Sequence, residues 1–193
     1  MNKKVIIGIV AALVIVAIIV SIVVIAGKNN TSKQTGIEVK TTAQMKEVFE
    51  KINKNCEENL PGLDVQELDI SDEEMFTYQT GLKSNKNIEA AVISQPFMSS
   101  QAYLAMMVKV SEDANIEEVK KEMIDNIDMN KWICVSAEKA WATNYGNIIF
   151  LVMSDEAWGK TTYDEFKKVI EGKVGKELER EGEIEELPEI PEM

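Results

Sequence analysis

Two cysteines, 33 carboxylates, three tryptophans and no histidine set the chemistry open to this 193-residue chain. Without imidazole there is no Ser-His-Asp or Cys-His nucleophile and none of the usual histidine metal sites. The side chain best suited to sensing pH near neutrality is missing too. Cys56 and Cys134 stand too far apart in sequence for a CxxC motif. Two readings of them stay open, a disulfide or two separate thiols packed as small apolar groups. Carboxylates gather at Glu112, Asp113, Asp155 and Glu156. Four acids at neighbouring strand ends could hold Ca²⁺ or act as a glycosidase pair. No loop has the glycine and alternating acids of a calcium motif, and acids in a first helical turn also favour the helix dipole. Trp132, Trp141 and Trp158 are the candidate ligand or partner residues, as exposed aromatics lining a groove. Tryptophans pack at core and rim as readily. No catalytic residue, metal ligand or cofactor is expected.

What must position these residues begins with an anchor. Residues 5–26 carry no charge and one polar side chain, Ser21. As a helix, 22 residues rise about 30 Å at about 1.5 Å each, the thickness of a bilayer's hydrocarbon core. The run is too long for the apolar core of a secretory signal, although Val24-Ile25-Ala26 would suit a signal peptidase. The expected partner here is the lipid bilayer itself. Lys3 and Lys4 on one side and Lys28, Lys33 and Lys40 on the other leave the positive-inside count undecided. The short tail, residues 1–4, argues for an N-terminus inside and a domain outside, at the cell membrane.

With Lys3 and Lys4 ahead of the anchor, 19 basic residues remain against 33 carboxylates, so everything after it carries −14. That disfavours nucleic acid, which needs a basic surface, and anionic headgroups. Arg180 is the one arginine. Lysine, asparagine and isoleucine usage fits an AT-rich bacterial genome.

Residues 27–40 read as a polar linker, 41–176 as the domain and 177–193 as an acidic disordered tail with Pro188 and Pro191. Thr41 or Thr42 caps a helix whose apolar stripe is Met45, Val48, Phe49, Ile52, Cys56 and Leu60. A short strand is predicted at 65–70, and Ser71 with Glu74 as a capping box for a short helix before Gly81. A strand at 88–94 connects loosely to one at 102–110, whose alternation is that of a half-buried strand. A helix follows with Ile116, Val119, Met123 and Ile127 inward. Residues 139–144 and 148–153 form a second hairpin. The continuously apolar 148–153 is predicted to be central and covered on both faces. Thr162 with Glu165 then caps a last helix with Tyr163, Phe166, Ile170 and Val174 inward.

The two halves match in order. Ser111-Glu112-Asp113-Ala114 parallels Ser154-Asp155-Glu156-Ala157. Ile116-Glu117-Glu118-Val119-Lys120-Lys121 parallels Tyr163-Asp164-Glu165-Phe166-Lys167-Lys168. The predicted fold class is α+β: a transmembrane helix, then an antiparallel sheet of about four strands covered on one face by helices, built from two strand–strand–helix repeats.

The core strands Ala102-Tyr103-Leu104 through Val108-Lys109-Val110, the helix at 116–123 and Gly146 through Ser154 give the chain a resemblance. Over about 88–170 it resembles a family of uncharacterised single-pass membrane-anchored domains from Gram-positive, clostridial-type bacteria. That family has no assigned activity and lends no functional residues. Lys131-Trp132-Ile133-Cys134-Val135 is not placed in its pattern. The expected function is a non-enzymatic, extracytoplasmic module that binds a protein or a cell-envelope component. Two alternatives are a glycan hydrolase working with carboxylates alone and an accessory subunit of a membrane complex. Gly8, Ala11 and Ala12 offer the latter a small-residue helix face.

Overall fold

The computed structural model describes residues 39–57, 59–98 and 100–183. They belong to the second of the chain's two units, Ile37–Met193. The expected membrane span at 5–26 lies outside the described residues. Among the described residues no helix is long and apolar enough to cross a membrane. The elements run α1 (Thr42–Asn55), β1 (Leu63–Glu67), α2 (Glu73–Thr80), β2 (Ile88–Pro96), β3 (Tyr103–Val110), α3 (Ile116–Asn126), β4 (Lys139–Tyr145), β5 (Ile148–Ser154), α4 (Glu156–Val169) and β6 (Leu178–Glu181). The strands form one sheet in the order β1-β2-β3-β5-β4-β6, antiparallel at every step.

The class is α+β, but the sheet has six strands rather than about four. The two additions are its edges. β6 lies inside the stretch expected to be a disordered tail from residue 177, and its four residues, Leu-Glu-Arg-Glu, carry no apolar pattern. It forms because β4 has an open edge and because charges hold it. Lys139 of β4 reaches Glu179 at 2.8 Å and Glu181 at 3.0 Å. Arg180 Nη1 donates to the carbonyls of Ile124 and Asp125 at 2.7 and 2.8 Å. A cation there meets the negative end of the α3 dipole.

The helices cover both faces, not one. On one face Met45, Val48, Phe49 and Ile52 of α1, with Tyr163 and Phe166 of α4, pack on Met107, Phe150 and Val152. On the other, Phe76 of α2, with Met123 and Ile124 of α3, packs on Met106, Ile149 and Leu151. This corrects the reading of β3 as half-buried. Its alternation sends Tyr103, Ala105 and Met107 to one core and Leu104, Met106 and Val108 to the other. β5 is central, with all seven residues buried, as its unbroken apolar run predicts.

The strand order is compatible with the expected repeat, and the helices are not. Hairpins β2–β3 and β4–β5 flank the central β3–β5 pair. A two-fold axis through that pair, normal to the sheet, exchanges the hairpins and leaves each residue on its own face. It cannot exchange α3 and α4, which lie on opposite faces. The sequence match also joins unlike positions. Ile116 opens α3, whereas Tyr163 sits mid-helix in α4. Asp155 caps α4, accepting from Trp158 N–H at 2.9 Å. The expected cap at Thr162 is instead a buried helix position, hydrogen-bonded to Tyr103 Oη at 3.1 Å. Likewise Asp72, not Ser71, caps α2, accepting from Met75 N–H at 3.1 Å. The Thr41 cap of α1 forms as a full box with Gln44.

Candidate functional site

The three tryptophans do not meet. Trp141 is 1% exposed, packed so tightly under α4 that a Cβ on Gly159 would fall 2.2 Å from its Cζ3. Trp158 is partly buried against the same core, and Trp132 against the opposite one. No aromatic groove joins them.

The carboxylates do not gather either. In the antiparallel β3–β5 pair Tyr103 faces Ser154 and Lys109 faces Ile148. Glu112 and Asp113 therefore follow one end of the sheet, and Asp155 and Glu156 the other. The seven paired residues between those ends rise about 3.4 Å each. Among the described residues no three acids or cysteines are grouped to hold a metal ion. The cysteines are both free. Cys56 belongs to the α1–α4 core, where burial pushes its thiol up. Cys134 is exposed on the loop before β4.

That loop and α2 build a surface where a cation and an aromatic ring come together. α2 ends at Gly81, whose φ of +74° is left-handed. A Cβ there would lie 2.5 Å from Ile127 N. Glycine thus lets the end of α2 nest on the end of α3. Beyond Ile127 the chain makes a closed loop. Asn130 N–H donates to Asp128 Oδ1 at 2.9 Å. Ala137 N–H donates to the Met129 carbonyl at 2.8 Å. Met129 and Ala137 are buried and fix the loop's base. Ile133 and Cys134 stand exposed beyond it.

Lys131 crosses from the loop to α2. Its Nζ donates to Gln79 Oε1 at 2.6 Å and lies 4.6 Å from the centre of the Tyr78 ring. Burial of the side chain pushes its ammonium down to about 8, opposed by the charge of Asp128. On α2 Met75 is 47% and Tyr78 50% exposed, and on the loop Ile133 is 77% exposed. A shallow hollow of about 740 Å³ runs along α2, lined by Asp72, Glu74, Met75, Tyr78 and Asn126 among others and by no residue of 131–134. Phe97 and Met98 are also exposed, but on the β2–β3 connection.

Lys120 shows what a structural lysine looks like here. It reads as part of a solvated face, yet it is fully buried. Its Nζ donates to Glu117 Oε1, Asn144 Oδ1 and the Lys176 carbonyl at 2.8, 2.7 and 2.7 Å. Three acceptors satisfy it, and the bonds pin the chain between α4 and β6. Lys131 is different: among the described residues its ammonium donates to a neutral amide, that of Gln79.

Sequence reasoning reached Trp132 on this loop and missed Met75, Tyr78, Lys131 and Ile133. A helical wheel of α2 carries the signal. Phe76 and Thr80 face the core. Met75 and Tyr78 lie off that face, where apolar residues have no core to serve. Comparison with protein-family models, with curated proteins and with solved structures finds nothing that matches this chain.

Proposed function

We propose that this chain is a membrane-tethered binding module, held by residues 5–26, that presents the α2–loop face outside the cell to a protein or cell-envelope partner. One observation carries the reading: Met75 and Tyr78 stand half exposed on α2, with the Lys131 ammonium 4.6 Å from the centre of the Tyr78 ring. Contiguous apolar surface rimmed by polar groups marks interaction sites. Tyrosine and methionine are enriched at interfaces. The resemblance to membrane-anchored clostridial-type domains belongs to the same reading. The hydrolase alternative has no paired carboxylates in its support, since the acids it would use sit at opposite ends of the sheet.

A photo-reactive phenylalanine analogue placed at Tyr78 tests this in native membranes. The proposal expects a discrete adduct from that position. It expects none from Glu50, an exposed residue of α1 on the other face of the sheet. Equal adducts at both positions, or none at Tyr78, would contradict it.

A further inference from the structure

The sheet ends in two edges, β1 and β6, and they are built differently. Among the described residues β1 is bonded to β2 alone and β6 to β4 alone. An edge strand offers its unpaired N–H and C=O groups to any further strand. In an antiparallel ladder those groups alternate, one residue bonding inward and the next pointing outward. Leu68 N–H donates to the Ala91 carbonyl at 3.0 Å. The register from Leu63↔Pro96 to Glu67↔Val92 then makes Asp64 and Gln66 the inward residues. Leu63, Val65 and Glu67 turn their backbone groups outward. On β6, Gly182 N–H donates to the Glu138 carbonyl at 2.7 Å. Ala140↔Arg180 is therefore an inward pair, and Glu179 and Glu181 turn their backbone groups outward.

These two rows meet a second copy of the chain differently. Identical edges pair antiparallel about a two-fold axis normal to the sheet. Any such pairing of β6 through its outward residues sets glutamate directly opposite glutamate, and like charges there are destabilising. β1 has one register that joins all three outward residues of both copies. Val65 lies opposite Val65 at the axis, and Leu63 lies opposite Glu67 on either side of it. Between them Asp64 faces Gln66. No like charges are opposed. The acid excess of the domain is also thin on this side. α1 and β1 together carry three lysines and four acids, and Lys46 pairs with Glu67 at 3.4 Å. An exposed aromatic stands at the same margin. Phe97 is 76% exposed, and a Cβ on Gly62, the residue before β1, would lie 3.7 Å from its Cδ2.

We propose that two copies of this chain join edge to edge through β1, antiparallel about Val65, so that their two six-stranded sheets become one. Every outward N–H and C=O of Leu63, Val65 and Glu67 is then satisfied by the other copy. The same register, carried one residue further, sets Gly62 opposite Leu68 of the second copy. The Phe97 ring over Gly62 gains an apolar neighbour there. This assembly does not rest on the α2–loop face, so either reading can fail alone.

The test uses full-length protein in native membranes, with Cys134→Ser to silence the exposed native thiol. Opposite residues of an antiparallel pair have Cα atoms about 4.5–5.5 Å apart, within disulfide reach, and diagonal ones about 7–8 Å, beyond it. Oxidation should therefore link Val65→Cys to itself. Asp64→Cys and Gln66→Cys should each stay unlinked alone and link to one another when the two variants are co-expressed. The expected yield of both linked dimers is tenfold or more above that of Gln66→Cys alone. Equal yields throughout would show collision without register and overturn the proposal, as would no linkage at Val65→Cys. Val65→Pro is the second check. It removes an outward N–H and no bond to β2, the position at which an edge strand accepts proline. In mild detergent the native chain should sediment as a dimer and Val65→Pro as a monomer with unchanged circular dichroism. A native chain that sediments as a monomer, or a dimer that survives Val65→Pro, would contradict the β1 edge as its interface.

Discussion

Phe150 and Phe166 lie with ring centroids 3.9 Å apart and planes 5° from parallel. One is the middle of the most buried strand, the other the inner face of the helix that follows it. Phe49 and Tyr163 flank Phe150 at 6.1 and 6.3 Å, so α1 and α4 share one aromatic centre on β5. Burying an aromatic side chain removes a large apolar area from water, and deleting it leaves a cavity the neighbours only partly fill.

Phe150→Ala or Phe166→Ala is therefore expected to cost about 3–5 kcal/mol, a large share of the roughly 5–15 kcal/mol typical of a domain. Lys168→Ala, whose side chain is mostly exposed in its pair with Glu165, should cost within about 0.5 kcal/mol. Thermal unfolding of the three variants checks this. Equal losses would mean that the Lys168 charge belongs to a buried site.

Gly159 gives a prediction whose sign runs against the usual rule. It sits inside α4, where glycine to alanine normally gains about 0.5–1 kcal/mol. Here the added Cβ would lie 2.2 Å from Trp141 Cζ3, and overpacking a core costs about 1–3 kcal/mol. Gly159→Ala should lower the melting temperature. Adding Trp141→Phe should recover part of the loss, so that the pair is non-additive. A stabilised Gly159→Ala would show that Trp141 moves freely.

These elements also show what the sequence discloses. The β5 run and the inward residues of α1 and α4 were legible because burial imposes apolar type and period directly. The start of α4 was not. Gly159 looks like a break, and its reason for being there is a tryptophan 18 positions away. β6 was illegible because its partners are Lys139 and the carbonyls of Ile124 and Asp125, all distant in sequence. The site was half legible. Trp132 marked the loop, but the pairing of Lys131 with Tyr78 and Gln79 exists only once Gly81 brings α2 onto Ile127.

The link between α4 and β6 should make stability depend on pH in the acid range. Tyr163 Oη donates to Glu177 Oε2 at 2.8 Å, which holds that carboxyl below its usual value, with Lys167 assisting. A lowered carboxylate pKa adds stability that is present above the ordinary glutamate range and lost as pH falls through the folded value. Glu177→Gln should lower the melting temperature at neutral pH, where that contribution is fully present, and flatten its fall below about pH 4. An acid limb unchanged in Glu177→Gln would remove the residue from that role.

Lys131 should stand apart from the other lysines in reactivity. Burial pushes its ammonium down to about 8, so the folded state holds fewer protons than the unfolded one from about pH 8 up to the ordinary lysine value near 10.4. Across that window stability rises with pH. Competitive reductive methylation followed by peptide mass analysis should give Lys131 a midpoint near 8. A midpoint shared with the exposed lysines would place its side chain in water and undo the seat on Tyr78.

The central claim, a folded domain displayed outside the cell with its α2–loop face open to reagents, is tested most directly by the two native thiols. Cys134 is exposed on that face and Cys56 is buried. A membrane-impermeant maleimide added to intact protoplasts should label Cys134 alone, and Cys56 should react only after denaturation. Labelling of Cys134 that requires lysis would contradict the display, and labelling of both thiols without denaturation would contradict the fold.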